Sequence, residues 1–289
     1  MKILFFINPI SGGIDKSEVV EDIKSLCELH HINFKTYFTK KVNNSDLSVL
    51  LSEFIPDRIV VVGGDGTMNC AVQKMAYLGV PFGLISLGSA NGTAKEVSLS
   101  TNSLDALTDA VFSNKFINSD VIKINGRLCV HLADIGTNAE IVSNFEREPE
   151  RGFMAYAKHL IAAMVDSKEK DFIIESNGIK YTWRGYMLSF ANASKYGSGI
   201  IINPGGSISD GYFELCNIKD FSIEAILMMG LSKISEELPL LDYIQQVKTK
   251  EAIVTTNEPY LLQIDGEIIG EFSKFEVRIY ENYFRFVVP

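Results

Sequence analysis

A run of apolar residues, Ile59 to Val62, leads directly into the sequence Gly-Gly-Asp-Gly-Thr at residues 63–67. A buried parallel strand that passes through glycines into a helix N-terminus turns main-chain N–H groups and the helix dipole toward one point, which favours phosphate oxygens. Because the carboxylate of Asp65 would repel bare phosphates, its position among these glycines indicates a Mg²⁺ ion between the two. The alternative is a plain strand-to-helix turn whose glycines adopt positive φ.

Two further loops of small residues also follow predicted strands, at residues 8–13 (Asn-Pro-Ile-Ser-Gly-Gly) and 88–94 (Gly-Ser-Ala-Asn-Gly-Thr-Ala). In a doubly wound sheet, the loops after parallel strands gather at the carboxyl edge, where ligands bind. Each loop by itself is compatible with a turn and a helix cap. Three of them in one domain favour a phosphate site, although neither a Walker A motif nor a dinucleotide fingerprint is present.

The spacing of apolar residues in the first part of the chain alternates between strand and helix periods. This alternation predicts an α/β domain with a mostly parallel sheet covered by helices on both faces. The predicted strands are 2–7, 33–38, 58–62 and 81–85, and the predicted helices are 16–29, 46–54, 68–77 and 103–112.

After residue 120 the pattern becomes mostly that of strands, which predicts a second, β-rich domain of antiparallel, sandwich-like character. The boundaries are expected at 1–122 and 123–289, and the sequence leaves open whether the last strand returns to the first domain. The predicted strands are 123–135, 171–175, 180–192, 199–203, 212–218, 245–255, 261–264 and 274–288, and the predicted helices are 154–165 and 223–235.

Composition narrows the classes of partner and compartment. The formal net charge is −9 and no basic run is present, which excludes non-specific nucleic-acid binding and permanent adhesion to an anionic membrane. The four cysteines lie far apart without a zinc pattern, which is typical of free thiols in a reducing compartment. No stretch approaches the roughly 18 apolar residues of a spanning helix. We therefore expect a cytoplasmic protein.

The three glycine loops together resemble the nucleotide-binding elements of the diacylglycerol-kinase-like catalytic domain, which bacterial soluble lipid kinases share with sphingosine and ceramide kinases. The resemblance covers nearly the whole chain. Gly-Gly-Asp-Gly-Thr also occurs in related form in NAD kinases and phosphofructokinases, so the Asn-Pro-x-Ser-Gly start and the Asp-Gly-Glu end are what favour a lipid kinase. The second half of the chain resembles the same family, because it contains further segments in the order that bacterial lipid kinases show. These are Arg151-Gly152-Phe153, Tyr196-Gly197-Ser198-Gly199, Asn203-Pro204, Ser209-Asp210-Gly211-Tyr212-Phe213 and Ile264-Asp265-Gly266-Glu267.

The resemblance implies roles for particular residues. Asp65 would act on the phosphates through Mg²⁺, and Asp120 would belong to the same metal-and-water network. Glu267 would accept the proton of the lipid hydroxyl with Asp265 beside it, and on an extended strand these two side chains would share one face. The alternative is a hairpin turn with solvated carboxylates, since Asp-Gly is a strong hairpin signal. The implied ATP site consists of Asn8, Pro9, Ser11, Gly12, Thr39, Gly63, Gly64, Gly66, Thr67, Asn69, Ser89 and Asn91.

Two positions depart from the family pattern. Gly92 stands where most bacterial diacylglycerol kinases carry Asp. Sphingosine-type members also lack that Asp, so this position leaves the identity of the substrate open. Ser209 replaces the first Asp of the family's Asp-Asp-Gly, which carries a structural Mg²⁺. The remaining metal site would consist of Asp210 with main-chain oxygens of Ser207 and Tyr212, and we expect weaker affinity there.

The expected function is therefore that of an ATP- and Mg²⁺-dependent lipid kinase. It would phosphorylate the hydroxyl of a diacylglycerol- or sphingosine-like lipid, reached transiently at a membrane surface, with no nucleic-acid partner. The sequence leaves open whether the chain forms a homodimer. The alternatives are an NAD kinase or another small-alcohol kinase of the same superfamily, and a nucleotide-binding regulator without turnover.

Overall fold

The computed structural model describes residues 1–39, 45–141, 168–196, 201–220 and 242–289. The chain divides into two compact units, a first unit of residues 1–119 with 283–289 and a second unit of residues 120–282. The predicted helices 154–165 and 223–235 lie outside the described residues.

The first unit is an α/β structure with a parallel sheet in the order β2-β1-β3-β4. This arrangement confirms the predicted fold class, because each strand is followed by a helix or a helical turn before the next strand begins. The strands are β1 (Lys2–Ile7), β2 (Asn33–Phe38), β3 (Arg58–Gly63) and β4 (Phe82–Ser86), and the helices are α1 (Ser17–Leu29), α2 (Ser45–Glu53), α3 (Asp65–Met75), α4 (Gly92–Glu96) and α5 (Ser103–Phe112).

The core of the first unit explains why its strands read as continuous apolar runs. Every residue of β3 is buried, as expected for a parallel strand covered on both faces. Helix α5 lies close against β4, since a β-carbon added at Gly83 would be 2.8 Å from that of Ala110. The burial of each large aliphatic side chain in this layer contributes about 1.5–3 kcal/mol. The buried cluster includes Ile3, Phe5, Ile7, Ile23, Cys27, Val60, Val62, Ile85 and Leu107.

The second unit is β-rich and antiparallel, which confirms the second half of the predicted fold class. Its strands pair in the order β12-β11-β10-β7-β13-β14, and a β8–β9 hairpin adds to β13. Strands β5 and β14 each begin in one unit and end in the other. The strands are β5 (Lys115–Ile124), β6 (Arg127–Cys129), β7 (Leu132–Gly136), β8 (Lys170–Ser176), β9 (Ile179–Gly185), β10 (Met187–Ala191), β11 (Phe213–Ile218), β12 (Ile244–Thr249), β13 (Glu251–Ile264) and β14 (Glu267–Val288).

Several predicted boundaries are wrong because an apolar pattern continues across short turns. The Asn125-Gly126 turn, for example, has φ of 46° and 85°. Asn-Gly is itself a hairpin signal, but the predicted strand followed the apolar pattern across it. Helix α3 begins at Asp65 rather than at residue 68, and the short helix α4 was not predicted. Three predicted strands are divided in the structure, 123–135 among β5, β6 and β7, 180–192 between β9 and β10, and 245–255 between β12 and β13.

No helix within the described ranges is long and apolar enough to cross a membrane.

Candidate active site

The three glycine loops at residues 8–13, 63–67 and 88–94 are in contact within the first unit. A β-carbon added at Gly12 would lie 2.7 Å from the carbonyl oxygen of Leu87, and one added at Gly64 would lie 2.9 Å from the Cα of Gly88. Any side chain at these positions would push the loops apart, so the glycines are required for their close approach. Gly88 was not among the predicted site residues, although it begins the third loop.

The first and second glycine loops are also joined by side chains. The Asn8 Nδ2 group donates to Thr67 Oγ1 at 3.1 Å, and Asn8 Oδ1 accepts the main-chain N–H of Ile10 at 3.2 Å. The main-chain N–H of Asn8 donates to the carbonyl of Val62 at 2.9 Å. Thr67 itself packs on Gly63, where an added β-carbon would be 2.5 Å from Thr67 Oγ1. These contacts fix the start of α3 against the end of β1.

A buried lysine that the sequence analysis missed holds the first glycine loop in place. Lys16 is only 4% exposed, and its ammonium donates to the carbonyls of Ser11 at 2.6 Å and Ile14 at 2.7 Å. Burial lowers the pKa of this lysine. No motif signals this role, because it depends on where the side chain ends after the loop has folded.

Asp65 is the first residue of α3, and its carboxylate reaches the third glycine loop. One oxygen accepts the N–H of Gly92 and the other that of Thr93, both at 2.8 Å, so Asp65 caps the N-terminus of α4. The N–H groups of Gly66 and Thr67 stand in the first turn of α3, where a helix offers no main-chain acceptor.

The chemistry of this donor set fits a Mg²⁺ ion held mainly by nucleotide phosphates. Each oxygen of Asp65 accepts one N–H and keeps one lone pair. Magnesium at phosphate-transfer sites commonly takes only one or two protein carboxylates, with water and phosphate completing its shell. The one half-buried carboxylate of Asp65 is compatible with this arrangement.

The other predicted ATP-site residues lie on or beside these loops. Asn91 has a left-handed φ of 58°, and its Oδ1 accepts the N–H of Gly88 at 2.8 Å, which shapes the third glycine loop. Thr39, directly after β2, donates its N–H to the carbonyl of Ile7 at 2.8 Å. Of the remainder, Pro9 and Ser89 are exposed and Asn69 is buried on α3.

In the second unit, Asp265 and Gly266 form the two-residue turn between β13 and β14. Their φ values of 49° and 88° are those of a type I′ hairpin turn, so the hairpin alternative describes the backbone correctly. The expectation that Asp265 and Glu267 share one face is wrong. The left-handed backbone at Asp265 interrupts the strand alternation, and Asp265 is buried whereas Glu267 is exposed.

The Asp265 carboxylate is not solvated, contrary to the hairpin alternative. It accepts three consecutive main-chain N–H groups, from Val130 at 2.8 Å, His131 at 2.9 Å and Leu132 at 3.1 Å. Burial, with this carboxylate nearby, raises the pKa of the Cys129 thiol well above its ordinary value. Asp265 thus anchors the turn that carries Glu267.

A buried polar network continues from this turn to Asp134, which sequence reasoning missed. Gln263 accepts the N–H of Gly266 at 2.7 Å and donates to Asp134 Oδ2, also at 2.7 Å. The same oxygen accepts from Asn138 at 2.7 Å and from the hydroxyl of Tyr196. Burial raises the pKa of Asp134 to about 6. A carboxylate inside the apolar strand β7 was the available sequence signal.

The Asp134 pKa predicts a pH dependence of stability. Its folded-state pKa lies above the ordinary 3.8, so the folded form binds the proton more tightly, and this contribution is lost as pH rises through about 6. We expect the free energy of unfolding to fall by about 1–1.5 kcal/mol between pH 5 and pH 8 from this group. In Asp134→Asn that part of the pH dependence disappears.

Denaturant titrations at pH 5 and pH 8 give the free energy of unfolding of the wild-type protein and of Asp134→Asn. If the difference in this free energy between the two proteins is the same at both pH values, the assignment of the shifted pKa to Asp134 is contradicted.

Asp120 is 1% exposed and holds a loop of the second unit. Its two carboxylate oxygens accept the main-chain N–H groups of Gly211 and Asn282, both at 2.7 Å, while its own N–H donates to the carbonyl of Ile208 at 2.7 Å. The described contacts of its carboxylate are thus structural, and its expected part in a metal-and-water network stays a prediction.

The carboxylate expected to hold a structural Mg²⁺ is paired with a lysine instead. Asp210 Oδ2 lies 2.5 Å from the ammonium of Lys248, and Asp210 Oδ1 accepts the N–H of Tyr212 at 3.0 Å. Ser207 is half-buried, and its hydroxyl accepts the N–H of Ser209 at 3.4 Å. Across the described ranges, no group of three or more His, Cys, Asp or Glu side chains is arranged to hold a metal.

Comparison with known proteins agrees with both units. Residues 2–124 match the diacylglycerol kinase catalytic domain, and residues 133–280 match the YegS C-terminal NAD kinase beta sandwich-like domain. A diacylglycerol kinase of Staphylococcus carnosus is 24% identical over 277 residues, covering 91% of this chain and 88% of that protein. A diacylglycerol kinase of Bacillus subtilis is 22% identical over 236 residues, covering 80% and 77%.

A crystal structure of a diacylglycerol kinase from Bacillus anthracis superimposes with a TM-score of 0.77 at 20% identity, covering 100% of this chain and 97% of that one, which shows the fold. The two family models together extend over nearly the whole chain, and the second of them spans more than half of it. The chain therefore belongs to the bacterial lipid kinase family that joins a diacylglycerol kinase catalytic domain to a YegS-type C-terminal domain.

Proposed function

We propose that this protein is an ATP- and Mg²⁺-dependent lipid kinase that phosphorylates the hydroxyl of a diacylglycerol- or sphingosine-like lipid. The observation that carries the proposal is the convergence of three glycine loops at the N-terminus of α3, in a chain of the lipid kinase family. We further propose that the lipid is reached transiently at a membrane surface.

In this proposal the first unit binds the nucleotide phosphates. The N–H groups of Gly66 and Thr67 and the dipole of α3 favour anionic oxygens without adding a positive side chain, which suits a chain with net charge −9. Mg²⁺ bound to the phosphates beside Asp65 would neutralise charge that develops during transfer. Asp65 also holds the third glycine loop, so it links ion binding to loop position.

The second unit supplies the base. Glu267 takes the proton of the lipid hydroxyl while the oxygen of that hydroxyl forms a bond to the γ-phosphorus of ATP. The bond from that phosphorus to the β–γ bridging oxygen breaks. ADP leaves with the bridging oxygen. The exposure of Glu267 leaves it accessible to a substrate, and the anchored turn at Asp265 limits its movement.

The decisive experiment incubates the purified protein with [γ-³²P]ATP, Mg²⁺ and one acceptor at a time: diacylglycerol or sphingosine in mixed micelles, or NAD. Label in the organic extract supports the proposal and names the lipid class. Label in NADP would instead establish an NAD kinase. Absence of label from every acceptor, in a protein that binds ATP, would indicate a regulator without turnover.

Gly12 and Gly13 offer a matched pair for testing the nucleotide site. Both have φ of 65°, so alanine strains the backbone equally, but only at Gly12 would the added carbon strike a neighbouring loop. We expect Gly12→Ala to raise the KM for ATP roughly tenfold or more, because it displaces the loops, and Gly13→Ala to change it much less. Steady-state kinetics measures both, and equal effects would contradict the loop model.

A further inference from the structure

We propose that the ammonium of Lys248 replaces a structural Mg²⁺ in the second unit, so that the unit is stable without divalent cations. The family pattern predicts a metal at Asp210, but the Asp210 carboxylate is paired with the ammonium of Lys248. The proposal concerns the stability of the second unit and is independent of the proposed kinase activity.

The ammonium of Lys248 contacts two carboxylates. It lies 2.5 Å from Oδ2 of Asp210, which precedes β11, and 3.4 Å from Oε1 of Glu214 on β11. The register of β11 and β12 places Lys248 directly opposite Glu214, so this contact is built into the sheet pairing. A lysine side chain ordinarily carries a positive charge at neutral pH, so this ammonium brings that charge to both carboxylates.

One of these two carboxylates is deeply buried. Glu214 is only 3% exposed. Its other oxygen accepts from Asn203 Nδ2 at 2.7 Å, which leaves Oε1 to face Lys248. A carboxylate this deeply buried requires a nearby positive charge, since an isolated buried charge is strongly unfavourable. The lysine provides that charge.

The charges around Asp210 are nearly balanced by the protein's own side chains. Lys250 pairs with Glu281 at 2.6 Å, and the ammonium groups of Lys248 and Lys250 lie 5.2 and 5.0 Å from the centre of the Tyr212 ring. Three carboxylates thus face two ammonium groups, and little uncompensated negative charge is left for a divalent ion. A Mg²⁺ about 2.1 Å from Asp210 would also lie within a few ångströms of Lys248 and be repelled by it.

The test measures thermal unfolding without nucleotide, in EDTA and in millimolar MgCl₂. We expect the melting temperature of the wild-type protein to be the same in both. Lys248→Met removes the ammonium but keeps an unbranched chain of similar length. It should melt lower by about 2–4 °C in EDTA and recover part of that loss in MgCl₂, because the freed carboxylates then accept the ion.

Lys250→Met is the matched control. It removes the other ammonium that lies over the Tyr212 ring but leaves Asp210 and Glu214 paired with Lys248. It should show no gain from MgCl₂. If Lys248→Met responds to MgCl₂ no more than Lys250→Met does, the proposal is overturned.

A second pair of measurements decides the question if Lys248→Met does not fold. Asp210→Asn weakens the ion pair with Lys248, so it should melt lower than wild type by the same amount in EDTA and in MgCl₂. A wild-type protein that is insensitive to MgCl₂ supports the proposal. A wild-type melting temperature that rises with MgCl₂, in a way that Asp210→Asn abolishes, would show a metal at Asp210 and overturn it.

Discussion

Replacing Glu267 with glutamine is expected to lower kcat for lipid phosphorylation by about 10²–10⁴-fold, the usual contribution of a positioned proton acceptor. The amide keeps the shape and the hydrogen-bonding reach of the side chain but cannot accept the proton. Because Glu267 belongs to the second unit and the proposed ATP site to the first, the KM for ATP should remain nearly unchanged. Steady-state kinetics with the lipid identified in the labelling assay measures both quantities.

The matched control is Glu271→Gln, which changes another exposed glutamate on β14. It should retain wild-type kcat. If Glu267→Gln also retains most of its kcat while Asp265→Asn loses it, the proposed roles of the two carboxylates are reversed.

The second large effect is expected for Asp265→Asn, on stability as well as on rate. The carboxylate accepts three main-chain N–H groups in a buried position, and an amide would turn its own N–H₂ toward one of these donors. Loss of a charged acceptor and an unsatisfied buried donor should lower the free energy of unfolding by about 1–3 kcal/mol. Denaturant titration measures the loss.

Asp171→Asn is a suitable control for this experiment. Asp171 is exposed on β8 and lies 3.9 Å from Arg184, a surface pair that contributes little to stability. Should Asp265→Asn unfold at the wild-type midpoint yet lose kcat, Asp265 acts in the chemistry rather than as an anchor. If both Asp265→Asn and Glu267→Gln keep their activity, the turn is an ordinary hairpin and the proposed mechanism is wrong.

Features specified by short-range patterns were predicted well. Strands β1 and β2 and helix α5 have the predicted bounds, because local periodicity and caps mark them; Asn102, for instance, accepts the N–H groups of Leu104 and Asp105 at the start of α5. The hairpin at Asp265-Gly266 was the alternative interpretation that the Asp-Gly signal offered, not the favoured one. In the second unit, the prediction joined strands that short turns separate in the structure, because the apolar pattern continues through those turns.

The α/β and β-rich classes of the two halves and the small-residue loops follow from local sequence, because periodicity and glycine content act over a few residues. The partners of the charged side chains depend on the fold. Asp265 meets main-chain groups more than a hundred residues earlier, and Lys248 reaches Asp210 through the register of β11 and β12. Whether a carboxylate faces water, an N–H group or an ammonium depends on such long-range pairing, which no local pattern encodes.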